Sequence, residues 1–81
     1  MPDEAVRKLL WRCRRGMKEL DVVLERYARA HLERATEDER RVFARLLDLP
    51  DPELVEYFLG HATPDDPALA QLTRAITTHR T

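Results

Sequence analysis

Trp11-Arg12-Cys13-Arg14-Arg15-Gly16-Met17-Lys18-Glu19-Leu20-Asp21 is the stretch on which the fold turns. Upstream of it, Val6, Leu9, Leu10 and Cys13 recur at helical spacing. Downstream, Met17, Leu20, Val23, Leu24, Tyr27 and His31 fall on one helical face. Gly16 stands between the two stripes, and glycine takes the left-handed conformation at little cost, so it is expected at C′ of the first helix. The stretch therefore reads as a corner between two helices. The first is expected to open at a Pro2-Asp3 cap and to run to about Arg15.

The rest of the chain repeats this grammar. Thr36-Glu37-Asp38-Glu39 has the form of a capping box and opens a third helix, with Val42, Phe43, Leu46 and Leu47 facing inward and Pro50 as its stop. Asp51-Pro52 is expected to cap a fourth helix carrying Leu54, Val55, Phe58 and Leu59, which ends near Gly60. Asp66-Pro67 starts a fifth, with Leu69, Leu72, Ala75 and Ile76 as its stripe. No stretch alternates as a strand would. The fold class is all-α: a compact five-helix bundle forming one small domain over residues 1–81. Its ordered core is expected at about 3–77, with the tail from Thr77 to Thr81 frayed. A chain of this length has a radius of gyration of about 12 Å and buries only roughly 60% of its unfolded surface. A surface that recognises a larger partner suits it better than a deep active site.

Composition narrows the function. The 81 residues carry a net charge of −1, which gives no general attraction to nucleic acid or membrane. The charges are unevenly placed, however. Residues 7–18 hold Arg7, Lys8, Arg12, Arg14, Arg15 and Lys18 without an acid, whereas residues 48–66 hold acids and no Lys or Arg, so the molecule is expected to be polarised. Cys13 is the only cysteine, which excludes an internal disulfide. No signal peptide, transit peptide or transmembrane run is legible, and a cytoplasmic protein is the simplest expectation.

Enzyme constellations are missing too. The chain has no serine, no Gly-rich phosphate loop and no paired His or Cys at metal-ligand spacing, so no catalytic residue and no metal site are assigned. Cationic neighbours would lower the pKa of Cys13, but its place on the apolar stripe argues for a buried structural thiol. His31, His61 and His79 are scattered, and Asp65 and Asp66 look like helix-start residues. The corner itself is richer. Tryptophan and arginine are the residues that most often carry interface energy, and the Arg15 fork suits carboxylate or phosphate oxygens. The residues alone leave a second reading open, in which Trp11 is core, the arginines are a solvated face and Glu19 pairs with Arg15 at i,i+4.

The run Arg7-x-x-x-Trp11-x-Cys13-Arg14-Arg15-Gly16-Met17-x-Glu19-Leu20-Asp21 resembles the signature of the SdhE/YgfY family, known in mitochondria as succinate dehydrogenase assembly factor 2. The hallmark Arg-Gly-x-x-Glu is matched by Arg15, Gly16 and Glu19. Glu39-Arg40-Arg41-Val42-Phe43-x-x-Leu46-Leu47 and Asp51-Pro52-x-Leu54 continue the likeness, which extends to about residue 76. Tyr57, Pro50 and Ala62 depart from the family's usual residues and lie outside the corner.

The resemblance implies a five-helix bundle that is not an enzyme. It implies an assembly factor that binds the flavoprotein subunit of succinate dehydrogenase or fumarate reductase and promotes covalent attachment of FAD to a histidine of that subunit. FAD is then the partner's cofactor, and this chain is expected to bind none stably and to act as a monomer. The residues expected to meet the partner are Arg15, Gly16 and Glu19, supported by Trp11, Arg14, Met17 and Asp21. Two alternatives are a small helical nucleic-acid-binding or regulatory adaptor, disfavoured by the net charge and by Glu19 and Asp21, and a homo-oligomeric helical adaptor.

Overall fold

The structure is a computed structural model that describes residues 4–78. Among these, five α-helices follow one another: α1 (Glu4–Arg12), α2 (Lys18–His31), α3 (Glu37–Leu47), α4 (Asp51–Phe58) and α5 (Pro67–Thr78). The radius of gyration is 11.7 Å, as chain length predicts. The α5 helix lies at the centre of the packing, against α2, α3 and α4, while α1 packs on α2. The core gathers Val6, Leu9, Cys13, Leu20, Leu24, Leu32, Phe43, Leu46, Leu54 and Ile76 from every helix and from the α1–α2 and α2–α3 connections. Ala28, absent from the predicted stripe of α2, is also fully buried.

Local signals explain the starts of α3 and α5. The Thr36 hydroxyl accepts the Glu39 N–H at 3.1 Å, and the Glu39 carboxylate accepts the Thr36 N–H at 2.8 Å, so both halves of the capping box form. Asp66 accepts the Ala68 N–H at 2.8 Å at the start of α5, and its partner Arg45, with that amide, holds its carboxyl below the usual carboxylate range. Helix C-termini are closed differently. Arg40 donates to the carbonyls of Leu32 (2.9 Å) and Glu33 (3.2 Å) just past α2, satisfying groups that a helix end leaves open.

Four expectations need correction. The α1 helix ends at Arg12 rather than Arg15, closing with 3₁₀-type bonds from Cys13 to Leu10 and from Arg14 to Trp11. Gly16 has the expected positive φ (+89°) but lies in the α1–α2 connection, beyond C′. Asp51 does not cap α4: Pro50 is the N-cap, no side chain caps the helix, and the Asp51 carboxylate is taken by a residue distant in sequence. Leu59 is not inward but 63% exposed, because the short α4 ends before it. The expected Pro2-Asp3 cap lies outside the described residues. The α5 helix is intact through Thr78, and the remainder of the expected frayed tail lies outside them too.

Candidate functional site

The corner is built by two carboxylates, each holding a different part of it. Asp21, in the first turns of α2, reaches back and accepts the Arg15 N–H at 2.8 Å and the Gly16 N–H at 3.2 Å. This fixes the backbone that Gly16, at φ +89°, turns. A Cβ added at Gly16 would meet nothing within 4 Å, so glycine is required for its backbone angle and not for space. The second carboxylate is Asp51. Arg15 Nε donates to it, while Nη1 donates to the Leu47 carbonyl and Nη2 to the Leu49 carbonyl, both at 2.6 Å. The Arg15 side chain is 16% exposed. Its guanidinium thus bolts the α1–α2 connection to the α3–α4 connection.

Arg12 makes a parallel link one turn earlier, donating to Asp48 and, at 3.5 Å, to the Ala44 carbonyl. The basic early segment and the acidic later one therefore lie face to face through Arg12–Asp48 and Arg15–Asp51. Charge that looked polarised along the chain is partly neutralised in space. Arg15 also does not pair with Glu19, as an i,i+4 reading allowed, because it stands outside both helices.

What the corner offers outward is different in kind. Trp11 is 70% exposed, and the Arg14 guanidinium lies over its ring, 5.6 Å from the centroid. Arg14, Gly16, Met17 and Glu19 are exposed as well. Neither Glu19 nor Arg14 has an ion-pair partner among the described residues. Of the residues singled out in sequence, Trp11, Arg14, Gly16, Met17 and Glu19 are exposed, whereas the half-buried Arg15 and Asp21 hold the turn's backbone and its link to the α3–α4 region. The part played by Asp51 carried no local signal, since it lies 36 positions from its partner.

Cys13 behaves as the buried thiol its stripe predicted. It is fully buried, and its Sγ–H donates to the Leu9 carbonyl at 3.3 Å. Burial, with Glu25 and Asp21 nearby, pushes the thiol from 9.0 up to about 12, which outweighs the neighbouring Arg12 and Arg15. A thiol so placed is not poised as a nucleophile. His31 and His61 are exposed, the latter 2.8 Å from Glu56, and His79 lies outside the described residues. Among the described residues, no group of three or more His, Cys, Asp or Glu side chains is placed to hold a metal ion. No helix there is long and apolar enough to cross a membrane.

Fold and corner together describe a small five-helix domain with an exposed Trp11 and Arg14 at the α1–α2 turn. Comparison with known proteins makes the class specific. The sequence family described as "Flavinator of succinate dehydrogenase" matches residues 7–80, so the chain belongs to that family. It is 52% identical over 69 residues to a FAD assembly factor SdhE from Methylococcus capsulatus, covering 85% of this chain and 83% of the relative. It is 43% identical over 72 residues to one from Coxiella burnetii (89% and 88%) and 41% identical over 68 residues to one from Idiomarina loihiensis (84% and 76%). The resemblance drawn from the Arg15-Gly16-x-x-Glu19 corner is thus found again along nearly the whole chain.

Proposed function

We propose that this chain is an assembly factor that binds the flavoprotein subunit of succinate dehydrogenase, or of fumarate reductase, and promotes covalent attachment of FAD to it. The observation that carries this reading is the family match over residues 7–80, a span that includes the corner with its exposed Trp11, Arg14, Gly16, Met17 and Glu19. The chain itself performs no bond-making step and keeps no cofactor. Binding selects the arrangement of the flavoprotein in which histidine and flavin are correctly placed, and proximity within the partner does the rest.

The roles divide accordingly. Glu19 and Arg14 supply exposed charges of opposite sign, Trp11 and Met17 supply apolar contact, and Gly16 lets the partner approach the backbone closely. Arg15 and Asp21 act through the corner's shape. Internal use of Arg12 and Arg15 also leaves a weaker cationic face than the sequence offered, which further disfavours nucleic acid.

The test is co-expression with the flavoprotein subunit in cells lacking their own factor, reading covalent flavin as fluorescence of the denatured subunit on a gel. Fluorescence is expected with the native chain and should fade with Glu19→Ala and Gly16→Arg. Equal fluorescence with and without the chain would sink the proposal.

A further inference from the structure

Beside the corner, the first turns of α2 and the end of α4 enclose an open groove of ≈ 540 Å³. Half-buried Val23, Val55 and Phe58 line it with buried Leu20, and exposed Met17 and Leu59 border it. The groove is within the size range that accepts a small apolar ligand or a few apolar side chains. Leu59 is the telling residue. It is the C-cap of α4, it packs on nothing that hides it, and Gly60 (φ +80°) turns the chain away immediately afterwards. A C-cap at the surface has no need of a large aliphatic side chain, and contiguous exposed apolar surface with a polar rim marks an interaction site.

Two features say what covers it. Met17 and Glu19 belong both to the outward face of the corner and to the lining of the groove, so the two form one surface. Lys18 and Glu19 also line the groove, and neither has an ion-pair partner among the described residues. An occupant therefore needs apolar side chains for the floor and, beside them, a cation for Glu19 and an anion for Lys18.

We infer that the α2–α4 groove receives a short apolar segment of the flavoprotein that carries both a Lys or Arg and an Asp or Glu next to its apolar residues, answering Glu19 and Lys18. This rests on the reading of the flavoprotein as partner and extends the contact surface from the corner to Val55, Phe58 and Leu59. Glu19 then does two things at once: it closes the polar edge of the corner and sets the register of the segment in the groove. Buried charge pairs of this kind fix orientation more than they add affinity.

The experiment is calorimetric titration of the apo flavoprotein subunit with the native chain and with Leu59→Asp, Leu59→Gln, Glu19→Ala and, as a control at an exposed position outside the groove, Gln71→Asp. Each chain's melting temperature and sedimentation mass are measured alongside. Leu59→Asp is expected to weaken binding roughly tenfold to a hundredfold, as for an apolar interface anchor, with Leu59→Gln between it and the native chain. Gln71→Asp should bind like the native chain, and all should melt alike. Native-like binding by both Leu59 variants, with Glu19→Ala weakened, overturns the groove and leaves the partner reading standing. No binding by the native chain removes both. A native chain that sediments as a dimer, and that Leu59→Asp returns to a monomer, assigns the groove to a second copy and overturns the proposal.

Discussion

Replacing Arg15 by alanine tests whether the hallmark arginine is a latch or a contact. Its guanidinium donates to Asp51 and to the Leu47 and Leu49 carbonyls, and the side chain is only 16% exposed. Hydrogen bonds to charged groups are worth about 1.5–3 kcal/mol each, but partial exposure and non-additivity reduce the sum. A loss of roughly 2–3 kcal/mol is expected for Arg15→Ala. For Asp51→Ala, whose carboxylate is 36% exposed, roughly 1–2 kcal/mol is expected, because the guanidinium keeps its two carbonyls. In a domain of this size each kcal/mol moves the melting temperature by about 4–8 °C, so Arg15→Ala should melt roughly 8–24 °C lower. The double variant should lose little beyond Arg15→Ala alone, since the two residues share one interaction. Thermal unfolding followed by circular dichroism measures all of this. A melting temperature for Arg15→Ala within about 2 °C of native, or strict additivity in the double variant, would refute the latch and return Arg15 to the partner-contacting set.

Two further outcomes separate presentation from packing. Trp11→Ala removes a side chain that is 70% exposed, so stability should change by no more than about 0.5 kcal/mol while affinity for the flavoprotein falls roughly tenfold; a large drop in melting temperature would place Trp11 in the fold instead. Cys13 gives a pH signature. Its folded-state pKa of about 12 exceeds the unfolded 9.0, so above pH 9 the unfolded chain ionises first. Its contribution is present in full below pH 9 and falls as pH rises toward 12, by up to ~1.4 kcal/mol per unit. Tyr27, raised by burial and by Glu39, adds a loss of the same sign, so the native chain must be compared with Cys13→Ala by denaturant unfolding from pH 8 to 11. Identical pH slopes in the two would contradict the buried thiol.

The helices were legible because their signals are local. Thr36 and Glu39 lie three residues apart, Asp66 sits next to Pro67, and Cys13 shares a stripe with Val6 and Leu9, so spacing alone gave caps and faces. The outward residues of the corner were legible through the motif. The latch was not. Helical periodicity states which face is apolar but not which connection lies against it, and nothing near Arg15 or Asp51 in sequence distinguishes a mutual pair from a solvated cation and a helix cap. Arg12 and Asp48 were hidden in the same way. Leu59 was misread because it continues the stripe of Leu54, Val55 and Phe58 by one residue after the helix has ended. Ala28, fully buried, gives no signal because a small side chain adds little to an apolar pattern.

The missing cap of α4 has a consequence for how the molecule breathes. At eight residues, α4 is too short to persist alone, and of the two acids in its first turn Asp51 is engaged by Arg15 and Glu53 accepts from the Tyr57 hydroxyl. Its secondary structure thus rests on its packing against α5, and Arg15 ties its first residue to the α1–α2 connection. Amide protons of α4 beyond Pro52 and of the Arg15-Gly16 turn should then exchange with solvent as one cooperative unit, opening and closing together. A flavoprotein that grips the turn would slow exchange throughout α4, including at residues it never touches.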